Sequence, residues 1–290
     1  YWPPQYLVYD GLTLEPIQRV DTPHVIYDID GDLLENRVAS IVASHNDPVW
    51  VIALKESGYV GIVDYSDPTG PLVKTIATAK ALHDGGFDHT GNYFLVAANA
   101  NNEMVVVDLR AQSLAALIDT GLIPHPGRGV NWADPVYGWV NATGHLGEGK
   151  VAVYGADPAG RPDVAWQVVR EIALPAESSL FIKSHPNSPW PWVLVDLAKP
   201  GDPGSQKDIC AISKATAGYA VGALDRCFPV ATNQGQAVHL EFNMYGSEVW
   251  VSDWATDGKE SAVIVLDSDT LGRRKIRRFT GLPTPTGKFN

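Results

Sequence analysis

Along the chain, apolar residues either alternate with polar ones or run unbroken for four or five positions, and many of these runs stop at an aspartate. Tyr6-Leu7-Val8-Tyr9-Asp10, Gly61-Ile62-Val63-Asp64, Val105-Val106-Val107-Asp108 and Val263-Ile264-Val265-Leu266-Asp267 share this form. A period of two predicts β-strands, and an aspartate followed by small polar residues predicts a turn, because its carboxylate accepts hydrogen bonds from the backbone just ahead. Runs at 37–44, 50–55 and 59–64 group together, as do 93–99 with 103–108 and 138–143 with 150–155. Further runs fall at 180–184, 192–196, 208–213, 248–253 and 261–267. Helical periodicity is nearly absent.

The terminal aspartates recur at roughly 44 to 55 residues. That is the length of a four-stranded propeller blade, and a β-sandwich does not repeat so evenly. The predicted fold is therefore all-β, a β-propeller with about five to six blades in view. The chain opens on what reads as the last strand of a blade, and at Pro283-Thr284-Pro285-Thr286-Gly287-Lys288-Phe289-Asn290 another strand is due. Because an open ring exposes two long sheet edges, residues 1–290 are expected to form one partial propeller domain whose first blades precede Tyr1.

Composition narrows the function. A formal charge of −11, with 22 Lys and Arg against 33 Asp and Glu, argues against a nucleic-acid or anionic-membrane surface. No stretch reaches the eighteen apolar residues of a membrane helix. Two cysteines, Cys210 and Cys227, leave room for one disulfide but form no Cys-x-x-Cys pattern.

Candidate chemistry centres on His83-Asp84-Gly85-Gly86-Phe87-Asp88 and, 42 residues on, His125-Pro126-Gly127-Arg128-Gly129. Glycines beside each histidine let the backbone turn and come close to a bulky group, and the spacing puts both histidines at equivalent places in neighbouring repeats, aimed at one axis. His239 opens a strand in the same way. His45, His145 and His185 sit in comparable loops, where the simplest role for any single histidine is to bond a turn. Imidazoles gathered at one channel could ligate a metal, donate protons or hold an anion. No zinc spacing is present. Arg128, between glycines, suits a carboxylate or phosphate. Nucleotide-binding and serine-hydrolase motifs are absent, and Asp84 and Asp88 read as turn-formers rather than as a glycosidase pair.

Taken together, Tyr1-Trp2-Pro3-Pro4-Gln5-Tyr6, His83-Asp84-Gly85-Gly86, Pro124-His125-Pro126-Gly127-Arg128-Gly129, Ser179-Leu180-Phe181-Ile182-Lys183-Ser184-His185-Pro186 and Thr284-Pro285-Thr286-Gly287-Lys288-Phe289-Asn290 resemble the haem d1 domain of cytochrome cd1 nitrite reductases. The resemblance runs along essentially the whole chain. It implies an eight-bladed propeller with haem d1 in its central channel. His83 and His125 match the two histidines that hydrogen-bond nitrite and supply protons as it becomes nitric oxide. Arg128 matches the arginine paired with an acidic side chain of the haem, and Phe181 a residue packed on the macrocycle. Tyr1 and Gly287, each in a matching motif, join the cofactor-binding set with His239.

No iron ligand is assigned within the chain. The proximal histidine and a haem c motif are expected upstream of Tyr1. His239 falls where the family commonly has glutamine, which resembles instead the relatives that act in haem d1 biosynthesis. Two roles therefore stay open: reduction of nitrite to nitric oxide in denitrification, or oxidation of a haem d1 precursor by a dihydro-haem d1 dehydrogenase. A third, a non-catalytic propeller scaffold, does not use the two histidine motifs. The resemblance further implies a periplasmic homodimer that takes electrons from a small c-type cytochrome or a cupredoxin.

Overall fold

The computed structural model describes residues 3–22, 29–31, 36–67, 69, 72–187, 192–197, 205–214, 222–232, 235–255 and 260–279. These are almost entirely strand and turn, and the chain divides into two compact units, Tyr1–Ile123 and Pro124–Asn290.

In the first unit, β1 (Gln5–Tyr9) and β2 (Pro16–Asp21) make a two-stranded antiparallel sheet. A four-stranded sheet follows, β3 (Val38–Ala43), β4 (Val49–Leu54), β5 (Tyr59–Asp64) and β6 (Leu72–Ala77), and then a second, β7 (Leu82–Phe87), β8 (Tyr93–Ala98), β9 (Glu103–Asp108) and β10 (Ser113–Asp119). The second unit holds three more. They are β11 (Val130–Asp134), β12 (Gly138–Thr143), β13 (Lys150–Gly155) and β14 (Val168–Ala173); β15 (Ile182–Lys183), β16 (Trp192–Asp196), β17 (Asp208–Ser213) and β18 (Leu224–Pro229); and β19 (Gln236–Phe242), β20 (Glu248–Trp254), β21 (Ser261–Asp267) and β22 (Arg273–Phe279). In all five the strands pair antiparallel in chain order, which is the blade of a β-propeller.

The unbroken apolar runs belong to the middle strands, and the alternation of side chains explains them. On β16 and β17, Val193, Val195, Cys210 and Ile212 pack towards the sheet before, while Trp192, Leu194, Ile209 and Ala211 pack towards the sheet after. On β4, Val51 and Ala53 join the core shared with β7–β9, whereas Ile52 and Leu54 pack with Tyr6 and Val8 of β1. A strand buried on both faces has no polar position to show, and each such Val, Ile or Leu contributes about 1.5–3 kcal/mol.

The strand-terminal aspartates do what the sequence predicts of them. Asp10, Asp108 and Asp267 each accept two backbone N–H groups ahead, and Asp64 accepts one, at the turn from the third strand of a sheet to the fourth. By this marker β1 and β2 correspond to third and fourth strands, so the chain opens on two strands of a blade rather than on its last one. Cys210 and Cys227 face each other across β17 and β18 and form a disulfide.

Candidate functional site

The segment His83-Asp84-Gly85-Gly86-Phe87 reads as a glycine turn, but it folds as strand β7. Gly85 serves close packing, since a Cβ there would run into the Leu95 carbonyl oxygen and Val96 of β8. Leu82 pairs with Ala98 and Gly85 with Val96, so His83 and Asp84 together oppose the single residue Ala97. This is a β-bulge, which re-aims side chains on an edge strand. Here it brings neighbours in sequence into contact, with His83 Nδ1–H donating to Asp84 Oδ1 at 3.2 Å. The carboxylate can only accept, so Nδ1 carries the hydrogen and Nε2 is the nitrogen left to exchange a proton.

His125 occupies the corresponding place in the first sheet of the second unit. Pro124 bridges to His145, the His125 backbone N–H bonds the Gly144 carbonyl, and the chain then swings out through Gly127 (φ 63°) and Gly129 (φ 67°) before β11 begins. His125 Nδ1–H donates to the carbonyl of Leu180 at 2.6 Å. A carbonyl is an acceptor in every protonation state, so again Nε2 is the exchanging atom.

His239 completes the pattern. It follows Val238, paired with Ser252, and precedes the slip to Glu241 opposite Trp250, so it begins a second bulge of the same kind as that at His83. Its φ of 53° places a non-glycine residue in the left-handed region, a strain of order 1 kcal/mol or more that such sites commonly carry.

Four rings of the second unit lie in a row. Phe181 meets His125 edge-on at 5.7 Å and His239 at 4.4 Å, and His239 meets Trp254 edge-on at 5.1 Å. His125, Phe181 and His239 are all buried. A shallow crevice lined by Phe181, Lys183, His239, Leu240 and Glu241 runs beside them, with Lys183 and Glu241 paired at 2.9 Å. Arg128 is half-buried on the loop after His125. Trp254 Nε1–H is buried with no hydrogen-bond partner among the described residues.

Beneath the row sits Asp196, a residue that carries no functional signal in the sequence beyond ending an apolar strand. It is fully buried, and its Oδ1 accepts the N–H groups of Leu180 at 2.8 Å and Phe181 at 2.9 Å. Burial pushes its carboxyl up to about 7, against the pull of those N–H groups and that of His239. What distinguishes it is position: the recurring aspartates end third strands, whereas Asp196 ends a second strand.

Two of the other histidines hold turns. His145 is buried with Nδ1–H donating to Lys150, and His185 Nδ1 accepts the Asn187 N–H. Tyr1 and Gly287 lie outside the described residues. His83 stands in the first unit, while His125, Phe181, His239 and Arg128 stand in the second.

The fold and site together define a propeller-blade protein whose first strands, and the segments leading into them, carry the candidate histidines and Phe181. The family model of the cytochrome D1 heme domain matches residues 1–290, and the chain belongs to that family. It is 42% identical over 300 residues to a nitrite reductase of Stutzerimonas stutzeri, covering all of this chain and 53% of that protein. To the dihydro-heme d1 dehydrogenase of Pseudomonas aeruginosa it is 25% identical over 291 residues, covering 52% of that protein. The chain thus spans about half the length of these relatives. Among solved structures, dihydro-heme d1 dehydrogenase NirN in complex with DHE superposes with a TM-score of 0.76 at 23% identity over 99% of this chain and 55% of that one. Hydrazine synthase of Kuenenia stuttgartiensis gives a TM-score of 0.64 at 14% identity over 87% of this chain and 69% of that one. At these identities the superpositions show the fold alone.

Proposed function

We propose that the chain binds haem d1 and takes part in the one-electron reduction of nitrite, in which nitrite, one electron and two protons give nitric oxide and water. The observation that carries this reading is the anchoring of His83 and His125. Each has Nδ1–H held by an acceptor and Nε2 left to exchange a proton, and the reaction needs two protons. In the cationic form both imidazoles also attract an anion. The greater identity to a nitrite reductase than to a dehydrogenase supports the same choice.

The residues present fit a large flat macrocycle with acidic side chains. Phe181 offers an aromatic ring, the Trp254 Nε1–H, without a partner among the described residues, offers a donor, and Arg128 offers a cation for a carboxylate. Haem d1, when bound, supplies the electron. The chain's own part is to hold the imidazoles in one tautomer and deliver protons from Nε2. The Cys210–Cys227 disulfide suits an oxidising compartment such as the periplasm.

With the protein loaded with haem d1 and reduced, His83→Ala and His125→Ala should each lower the rate of nitric oxide formation by about a hundredfold while haem absorption persists. Wild-type turnover in both variants would refute their role.

A second reading, oxidation of a haem d1 precursor, is favoured by His239, which is held strained between Phe181 and Trp254. Its assay is oxidation of dihydro-haem d1. A His239→Gln variant with undiminished activity removes the case for it.

A further inference from the structure

One peptide group links His125 to Asp196. The Leu180 carbonyl accepts the His125 Nδ1–H at 2.6 Å, and the N–H at the other end of that same peptide, on Phe181, donates to Asp196 Oδ1 at 2.9 Å. The neighbouring N–H, on Leu180, donates to the same oxygen at 2.8 Å, and the Asp196 N–H returns a bond to the Phe181 carbonyl at 3.3 Å. Asp196 Oδ2 is buried with no hydrogen-bond partner among the described residues.

We infer that Asp196 is a positioning residue for His125 and sets its hold on the Nε2 proton through the Leu180–Phe181 peptide. An ionised carboxylate draws on the Phe181 N–H and polarises the amide, which makes the Leu180 oxygen a stronger acceptor. The imidazole bonded to that oxygen then holds a proton on Nε2 more tightly. A neutral carboxyl, with its proton on the unpartnered Oδ2, relaxes the amide and loosens that hold. The effect is that of an aspartate bonded directly to a histidine, carried across one intervening amide.

Other ionisable groups near the pair do not supply this. Arg128 lies on the His125 loop, His145 across the Pro124 bridge, His239 beside Phe181, and Asp208 starts the strand paired to that of Asp196. Lys183 and Glu241 offset one another. No side-chain charge of theirs is among the causes that move the Asp196 carboxyl, which are burial and the backbone N–H groups of Phe181, Leu180, His239 and Asp196 itself.

The inference rests on reading His125 as a proton-handling residue, but its test needs neither haem nor nitrite. In the cofactor-free chain the His125 Cε1–H resonance is followed by NMR against pH. Asp196→Asn keeps an acceptor at Oδ1 and removes the charge. In that variant, with wild-type circular dichroism, the midpoint should fall by about half a pH unit, a threefold loss of proton affinity. An unchanged midpoint would overturn the inference. If the variant does not fold, the wild-type curve decides: two inflections support the link, and a single one overturns it. Should His125→Ala leave nitrite reduction intact while the NMR shift is observed, the functional reading fails and the link stands.

Discussion

Gly127→Ala tests how tightly the ring row is built. Gly127 has a φ of 63°, which for alanine costs about 1–2 kcal/mol, partly offset by about 0.4–1 kcal/mol from the stiffer unfolded chain. The new Cβ would also lie 2.7 Å from Phe181 Cδ1, some 0.7 Å inside the 3.4 Å at which ordinary contact begins. Phe181 is buried between His125 and His239, so the ring has little room to retreat, and overpacking of this kind costs about 1–3 kcal/mol. The sum is about 3 kcal/mol. Equilibrium urea unfolding measures it, with Gly11→Ala as the control, since a Cβ there meets nothing within 4 Å. Repeating Gly127→Ala in a Phe181→Leu background should reduce its cost to roughly the backbone part of about 1 kcal/mol. A loss below about 0.5 kcal/mol in the single variant, or the same loss in both backgrounds, would refute the proposed clash.

Two further outcomes follow from the same unit. Reducing the Cys210–Cys227 disulfide, which closes a separation of 17 residues, should cost about 3 kcal/mol, seen as a lower melting temperature in reductant and absent when both cysteines are replaced by serine. The Asp196 carboxyl titrates near 7 in the fold against 3.8 as its ordinary value, so the folded chain keeps a proton that the unfolded chain has lost between those limits. Its contribution to stability is therefore full below pH 4 and lost as pH rises towards 7. The melting temperature of wild type relative to Asp196→Asn should fall across that window, and a constant difference would show that the carboxyl does not titrate as described.

The middle strands are legible in the sequence because burial on two faces leaves them no polar positions. The runs read at 59–64, 103–108, 138–143, 150–155, 192–196, 208–213 and 261–267 coincide with β5, β9, β12, β13, β16, β17 and β21. The outer strands do not announce themselves. β10 is exposed at most of its positions, and it reads as loop because it packs on one side only. Two of the first strands hide for another reason: β7 and β19 carry bulges, which break the period of two at the residues of interest. The candidate histidines were legible through their glycines and the family motifs, although the glycine beside His83 serves strand packing rather than a turn. Asp196 was not, because its importance lies in which strand it ends and which N–H groups it meets.

The amide between Leu180 and Phe181 has a bearing on how this site can be interrogated. Its carbonyl and N–H belong to the main chain and are present whatever side chain stands at 180, so exchanging Leu180 for another residue leaves the connection whole. A side-chain scan would thus register silence at the one point where the two functional groups are joined. Chemical synthesis reaches what mutagenesis cannot: an ester in place of that amide deletes the Phe181 N–H, one of the two that Asp196 Oδ1 receives, and weakens the oxygen that His125 bonds, severing both halves of the link with a single atom.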